Sequence, residues 1–423
     1  MRRIVVVGAA GQMISITVRA MLDVDADIEM VLADVASDRL GLLVDELGRP
    51  ANVATATVDL HDRPNLVRML AGADLVMNGT GPCVDTAPPV IEACLAARAS
   101  YLDLGDDIPG AQYALAASRR AREAGVGLYV GCGVSPGITN VLVRELVELL
   151  DAADAVEVAF LVGDEGPHPL GRAVLKHALR MAAGETLSWW EGGPVAIPSF
   201  RIRERVLFAP AVGEVTVYEV AHPEVVTIPH FYPWLRSVRV LGGMYPQATN
   251  GLLQGLGAAT ADGSVTVDEA VDFLQALTAR RAGSATAWRA ALTGVLAQWW
   301  RGENTLADLL GFLVDGVLGR HRPFVGGVVA RATGMRDGQR VTLERRTVAC
   351  GPGTPVDSMA GATGRAAAAF ASLALARRGA PGGAFAPEAW VEPQAFHRAL
   401  ARYGITPDAL GPVREVAAAA RGA

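Results

Sequence analysis

Lysine is almost missing from this chain of 423 residues, with Lys176 the only one among 38 basic side chains. Arginine carries the positive charge, the net charge is −6, and no basic stripe is present, which argues against a nucleic-acid partner. Cysteine is scarce too. Cys83, Cys94, Cys132 and Cys350 show no C-x-x-C spacing, which excludes a disulfide framework and a structural zinc site and leaves free thiols. No metal is expected. Long apolar runs are lacking, since none reaches the roughly 18 residues that span a bilayer, and the apolar start carries no cleavage-site pattern. The expected location is the cytoplasm, with no membrane partner.

What is present begins at the first residues. Ile4-Val5-Val6-Val7 is an unbroken β-branched run, as a buried parallel strand requires, and it breaks at Gly8 into a turn that leads to a helix. Small residues from Gly8 to Gly11 let backbone N–H groups approach a pyrophosphate, with the positive end of the next helix aimed at it. Gly8, Ala9, Gly11, Gln12 and Met13 are therefore candidate cofactor contacts. One more absence matters here: the spacing is G-x-x-G, and Ile14 stands where a third glycine allows close helix–strand packing. A branched side chain there pushes the helix outward unless a small partner receives it.

A second strand, Ile28 to Ala33, ends in Asp34, about twenty residues beyond Gly11, where such folds place a carboxylate on the adenosine ribose. No arginine follows at once, although Arg39 is within a loop's reach, and the reading favours NAD over NADP. The alternation continues through Val53–Val58 ending at Asp59, and Leu75–Met77 ending in Asn78-Gly79-Thr80-Gly81-Pro82. After a proline-started helix come Tyr101-Leu102-Asp103-Leu104 and Gly127–Val130. Six strands alternating with helices predict an α/β fold with a Rossmann-type doubly wound parallel sheet. Its carboxyl strand ends form the ligand crevice. Asp59, Asn78, Gly79, Gly81 and Pro82 join the cofactor candidates, and Asp103, a carboxylate at the end of a buried strand, is expected to face the crevice as a catalytic acid or base.

The sixth strand runs into Gly131-Cys132-Gly133-Val134-Ser135-Pro136-Gly137-Ile138-Thr139-Asn140, and here the chain resembles the saccharopine dehydrogenase (saccharopine reductase) family. The resemblance also takes in Asn78 to Pro82, Ala124-Gly125-Val126, Val217-Tyr218-Glu219-Val220, His222-Pro223-Glu224, Thr227-Ile228-Pro229, Leu241-Gly242-Gly243-Met244, Pro387-Glu388 and Pro393 to Phe396. It implies a nicotinamide cofactor and reduction of an imine formed between an amino group and a carbonyl compound, and a homodimer. In the turn itself, glycines admit close backbone approach and polar side chains stand at a helix start. Cys132, Ser135, Pro136, Gly137, Thr139 and Asn140 are accordingly expected to form a substrate shelf.

From Val156 the pattern changes to longer strands, predicting an α+β substrate-binding and dimerisation domain. The expected division is residues 1–133 for the dinucleotide domain and 134–385 for the substrate domain, with a helical insert over 266–318. The segment from about 386 to 423 is expected to fold back on the first domain. Arg336-Asp337-Gly338-Gln339 predicts a hairpin, and Thr266-Val267-Asp268-Glu269 a capping box. Trp299 and Trp300 are expected in a core or subunit interface. The polar stretch Gly163 to Leu175, with Asp164, Glu165 and His168, is a candidate substrate loop. Lys176 and His177 after it are candidate proton donors to an amine. His230 and Tyr232 form a second polar-aromatic candidate. Two other readings stay open: a non-redox lyase, cyclase or structural subunit with a degenerate nucleotide site, kept alive by Ile14, and a C–O dehydrogenase.

Overall fold

The computed structural model describes residues 1–163, 170–210, 212–279, 283–318, 320–354, 356–377 and 379–417. Its strands are β1 (Arg2–Val7), β2 (Ile28–Asp34), β3 (Val53–Thr57), β4 (Leu75–Asn78), β5 (Ser100–Asp103), β6 (Gly127–Tyr129), β7 (Ala152–Val162), β8 (Glu185–Trp190), β9 (Gly193–Pro198), β10 (Arg203–Leu207), β11 (Glu214–Glu219), β12 (Ser237–Met244), β13 (Gly327–Arg336), β14 (Gln339–Arg346), β15 (Gly383–Phe385) and β16 (Arg414–Val416). Its helices are α1 (Gln12–Val24), α2 (Ser37–Glu46), α3 (Arg63–Leu70), α4 (Cys83–Ala97), α5 (Ile108–Ala116), α6 (Ser118–Ala124), α7 (Ile138–Glu148), α8 (Arg172–Ala182), α9 (Glu224–Phe231), α10 (Ala248–Ala261), α11 (Val267–Thr278), α12 (Ala285–Trp300), α13 (Leu306–Leu318), α14 (Met359–Ala376), α15 (Pro387–Trp390) and α16 (Pro393–Arg402).

Two compact units result. The first comprises Met1–Glu145, Val226–Phe231 and Ala360–Pro407, and the second Leu146–Val225, Tyr232–Met359 and the chain from Asp408 onward. The boundaries expected at 133/134 and 385/386 are thus corrected: the first unit also holds the start of α7, most of α9 and nearly all of α14, while β16 pairs with β14 in the second.

In the first unit Ile4 to Val7 are buried, as their β-branched run requires, and β1 pairs in parallel with β2 on one side and β4 on the other. The sheet order is β15-β6-β5-β4-β1-β2-β3, every pairing parallel. The order reverses between β1 and β4, and a doubly wound sheet opens its ligand crevice at such a switch point. The seventh strand, β15, comes from late in the chain and has no counterpart among the six expected. Against the expectation that no stretch is long and apolar enough to span a bilayer, the alanine- and glycine-rich α14 is so by length and composition, but most of it is buried. Its small residues admit α1 closely: a Cβ on Gly364 would lie 2.7 Å from Ile16 Cβ, and Thr17 Oγ1 donates to Gly364 O at 3.0 Å.

The second unit is built on a mixed sheet in the order β10-β11-β12-β7-β13-β14-β16, with the β8–β9 hairpin attached to β12. Asp337 (φ 52°) and Gly338 (φ 75°) make the expected two-residue turn between β13 and β14. Glu191 and Gly192 make a second such turn, between β8 and β9. The capping box forms as read: Glu269 N donates to Thr266 Oγ1 at 3.2 Å, and Thr266 N to Glu269 Oε2 at 2.8 Å. One feature left no periodic signal. Arg239 and Arg331 share the carboxylates of Glu157 and Glu204 across the sheet, and Arg331 also holds Glu344.

Candidate active site

The turn after β1 fits a dinucleotide. Gly8 has φ +75°, and a Cβ there would sit 2.6 Å from Thr80 Cγ2, so conformation and space both demand glycine. Asp34, half-buried at the end of β2, accepts from Ala10 N (3.0 Å) and Ala36 N (2.9 Å). This carboxylate therefore shapes the turn. Arg39 is drawn in as well, its Nη2 donating to Ala10 O at 2.8 Å. Gly11 is the N-cap of α1 and brings no side chain to the first-turn N–H groups of Gln12, Met13 and Ile14. An uncapped helix start at the switch point is the anion site that a pyrophosphate uses.

Ile14 is received by the smallest possible partner. It is 1% exposed, and a Cβ on Gly79 would fall 2.5 to 2.7 Å from its Cβ, Cγ2 and Cγ1. The missing third glycine has moved across the contact, from the helix to the end of β4. Gly79 is thus the floor beneath Ile14. Asp59 is exposed and caps its own loop, accepting from His61 N at 2.9 Å. Gly81 is exposed and Pro82 half-buried at the start of α4.

Three expectations for the first unit need correction. Asn78 is buried and committed, its Nδ2 donating to Tyr101 Oη at 3.1 Å and its Oδ1 accepting from Thr80 N at 3.1 Å, so it braces β4 against β5. Asp103 does not face the crevice. It is 2% exposed and accepts from Tyr101 Oη (2.8 Å), Gly105 N (3.0 Å) and Gly131 N (2.8 Å). Burial pushes this carboxyl above its ordinary range against the pull of those donors, and the acid clamps the ends of β5 and β6.

The third correction is the shelf from Gly131 to Asn140, which is a closed knot. Gly137 (φ +134°) lies so near Gly133 that a Cβ would be 1.9 Å from its carbonyl oxygen. The N–H groups offered to a ligand are already spent: Gly137 N on Asn140 Oδ1 (2.8 Å), Ile138 N on Gly133 O (3.1 Å) and Thr139 N on Val134 O (3.0 Å). Asn140 Nδ2 donates to Glu388 Oε2 at 2.9 Å and to Thr227 Oγ1 at 3.4 Å, joining three segments of the first unit. Cys132, Pro136, Gly137, Thr139 and Asn140 are all buried, and Ser135 alone of the six is partly exposed. Burial pushes the Cys132 thiol well up, with Asp103 and Glu388 adding to the effect, so no thiolate forms there at neutral pH.

In the second unit the two adjacent candidates on α8 part company. Lys176 turns to α11, where its Nζ lies 3.4 Å from Asp268 in an exposed ion cluster shared with Arg172, so its proposed role as proton donor is corrected. His177 is 8% exposed, with its ring edge-on to His222 at 5.7 Å between centroids. His222 Nδ1 lies 2.6 Å from Glu224 Oε2, both residues are buried, and Phe160 packs on the His222 ring at 4.9 Å. A carboxylate oxygen at that distance from Nδ1 favours the tautomer that carries its proton there. Asp164, Glu165 and His168 lie outside the described residues. His230 is exposed at the end of α9 against Phe231, and Tyr232 is half-buried beyond it. His222 and Glu224 were legible only as part of the family-like His-Pro-Glu string, because nothing in their spacing announces a pair with His177.

Comparison with known proteins agrees with this geometry. Residues 4–128 match the family model for the saccharopine dehydrogenase NADP binding domain. A carboxynorspermidine synthase of Vibrio alginolyticus is 27% identical over 192 residues, 42% of this chain and 45% of that protein. A carboxyaminopropylagmatine dehydrogenase of Synechocystis is 28% identical over 149 residues, 33% of this chain and 36% of that protein. The chain therefore spans less than half the length of either relative. In fold it is similar to saccharopine dehydrogenase (L-Glu forming) of Saccharomyces cerevisiae, with a TM-score of 0.63 at 16% identity over 99% of this chain and 100% of that one.

Proposed function

Because residues 4–128 match the family model for the saccharopine dehydrogenase NADP binding domain, we propose that this chain is an NAD(P)-dependent oxidoreductase acting on a C–N bond. Its reaction is reduction of an imine between an amine and a carbonyl compound, and the relatives' names suggest a carboxylated amine as product. The observation that carries this reading is the uncapped start of α1 beside Gly8 at the switch point of a parallel sheet. A nicotinamide dinucleotide held there would provide the hydride that imine reduction requires. In the first unit Gln12 and Met13 would hold the pyrophosphate and Asp34 a ribose; in the second unit His177, beside the His222–Glu224 pair, is the candidate proton donor. The non-redox alternative rested on Ile14, and the fit of Ile14 against Gly79 supports the redox reading over it.

Within that reading we favour NAD, because the negative charge of Asp34 repels a 2′-phosphate. Titration with NADH and NADPH, followed by nucleotide fluorescence and thermal stability, is expected to show saturable binding that is tighter for NADH. Asp34→Ala is expected to weaken NADH at least tenfold and NADPH less, a selectivity change that mere loosening of the turn does not produce. Binding of neither nucleotide overturns the redox reading; tighter NADPH overturns only the choice of NAD.

The homodimer is proposed on the helical face of the second unit. Leu306, Leu310, Val314 and Leu318 recur every fourth residue of α13 and are 50–54% exposed, and on α12 Leu292, Leu296, Trp299 and Trp300 are 40–85% exposed. The two tryptophans are not core. Unpartnered apolar side chains of this kind are what a second copy of the chain would cover. Even spacing makes α13 complementary to itself when run antiparallel, which suits a second copy. The described side chains of α13 carry acids and no base, which disfavours an anionic membrane. Light scattering is expected to give a dimer that Leu310→Glu with Val314→Glu converts to a monomer; a monomeric wild type or a dimeric variant refutes it.

A further inference from the structure

The second unit holds a cleft of about 900 Å³ that does not include His177, His222 or Glu224 among its walls. That volume is in the range of small-molecule sites. Its floor is the contact of α10 with α12, where the backbones touch: a Cβ on Gly255 would be 2.1 Å from Ala290 O, and one on Gly294 2.0 Å from Gly251 O. Such a floor is rigid.

Among the described residues four arginines line the cleft, Arg201 and Arg203 at the start of β10, Arg289 in α12 and Arg301 just after it, against two acids, Asp262 and Glu303. Glu303 is a built support. Its carboxylate is 3% exposed and accepts from Arg203 Nη1 at 2.7 Å, Arg301 Nε at 2.5 Å and Tyr218 Oη at 2.8 Å. Gln298 holds Tyr218 Oη from below at 3.2 Å. Two guanidiniums are thereby fixed with their charges half-compensated. Arg201 and Arg289 are exposed, and among the described residues neither meets a carboxylate. Phe200, stacked on Tyr218 at 5.0 Å, holds φ 58°, which sets the chain direction into Arg201. In a protein of net charge −6 this cleft gathers two more cations than anions.

We propose that this cleft is a second ligand site, for a small multivalent anion bearing carboxylate or phosphoryl groups. Guanidinium forks bind both groups in a bidentate manner, and the concave wall raises the local potential. A monovalent anion leaves part of the surplus charge unmet.

The test is calorimetric titration of the full chain with sodium pyrophosphate and, separately, sodium citrate, at ionic strength matched with sodium chloride. Each is run on wild type, on Arg201→Gln with Arg289→Gln, and on Arg289→Glu alone. Saturable binding of at least one anion, weakened tenfold or more in the variants while NADH binding stays unchanged, is expected. A preference for pyrophosphate assigns phosphoryl groups and a preference for citrate assigns carboxylates. Absence of saturable binding overturns the proposal. So does binding that survives both variants, which belongs to the nucleotide turn instead. The outcome is independent of whether the chain reduces imines.

Discussion

Replacing His177 by alanine is expected to lower kcat for imine reduction by about 10²–10⁴-fold, the range in which a positioned proton donor contributes. Lys176→Ala is expected to change kcat less than about threefold, although the two residues are neighbours in sequence. The reason is geometric. Successive residues on a helix point about 100° apart, and α8 sends Lys176 to Asp268 in solvent while burying His177 against His222. Steady-state rates over a pH series distinguish catalysis from support: a lost proton donor removes the basic limb of the kcat profile, whereas a merely loosened fold lowers the rate at all pH values and lowers Tm. Nucleotide affinity is expected to stay unchanged, because Gly8 to Met13 belong to the other unit. An alanine variant with wild-type turnover, or with a reduced rate and an unaltered profile, overturns the assignment.

Gly79→Ala is expected to destabilise the first unit by about 1–3 kcal/mol, as overpacking does, and to weaken NADH at least tenfold. The new methyl would stand 2.5 Å from Ile14 Cβ, and a β-branched side chain on a helix has no second rotamer to retreat into. Helix α1 has to move, and its first turn is the anion site. Ile14→Ala alone leaves a cavity and costs about 2–5 kcal/mol. The pair together is expected to cost less than the sum by about 0.5–3 kcal/mol, the coupling of residues in contact. Thermal unfolding with NADH titration across the four proteins reads this, and strictly additive losses refute the contact.

Much of the first unit was legible because its signals are local. The run Ile4–Val7 buries on both faces, the strand-ending Gly8 needs positive φ, and Asp34 closes β2 at the right spacing. Even the problem posed by Ile14 was readable as a demand for a small partner. The identity of that partner was not, since Gly79 lies on another strand. The Gly131–Asn140 turn shows the opposite failure. Its residue types suit a ligand shelf, but whether an N–H is free depends on which carbonyl folds onto it, and here Gly133, Val134 and Asn140 use the donors internally.

The amino-acid sequence by itself determined the alternation of strands and helices, the nucleotide turn, the hairpin at Asp337-Gly338 and the capping box at Thr266. Each of these is set by backbone preferences and hydrogen bonds within a few residues. Tertiary structure alone decided that Asp103 is a clamp, that His177 rather than Lys176 joins His222 and Glu224, that residues 383–385 supply a seventh strand, and that four arginines from distant segments share one cleft. These are matters of burial and of long-range pairing. A charged side chain carries no local mark of whether folding will surround it with donors, with an opposite charge, or with water.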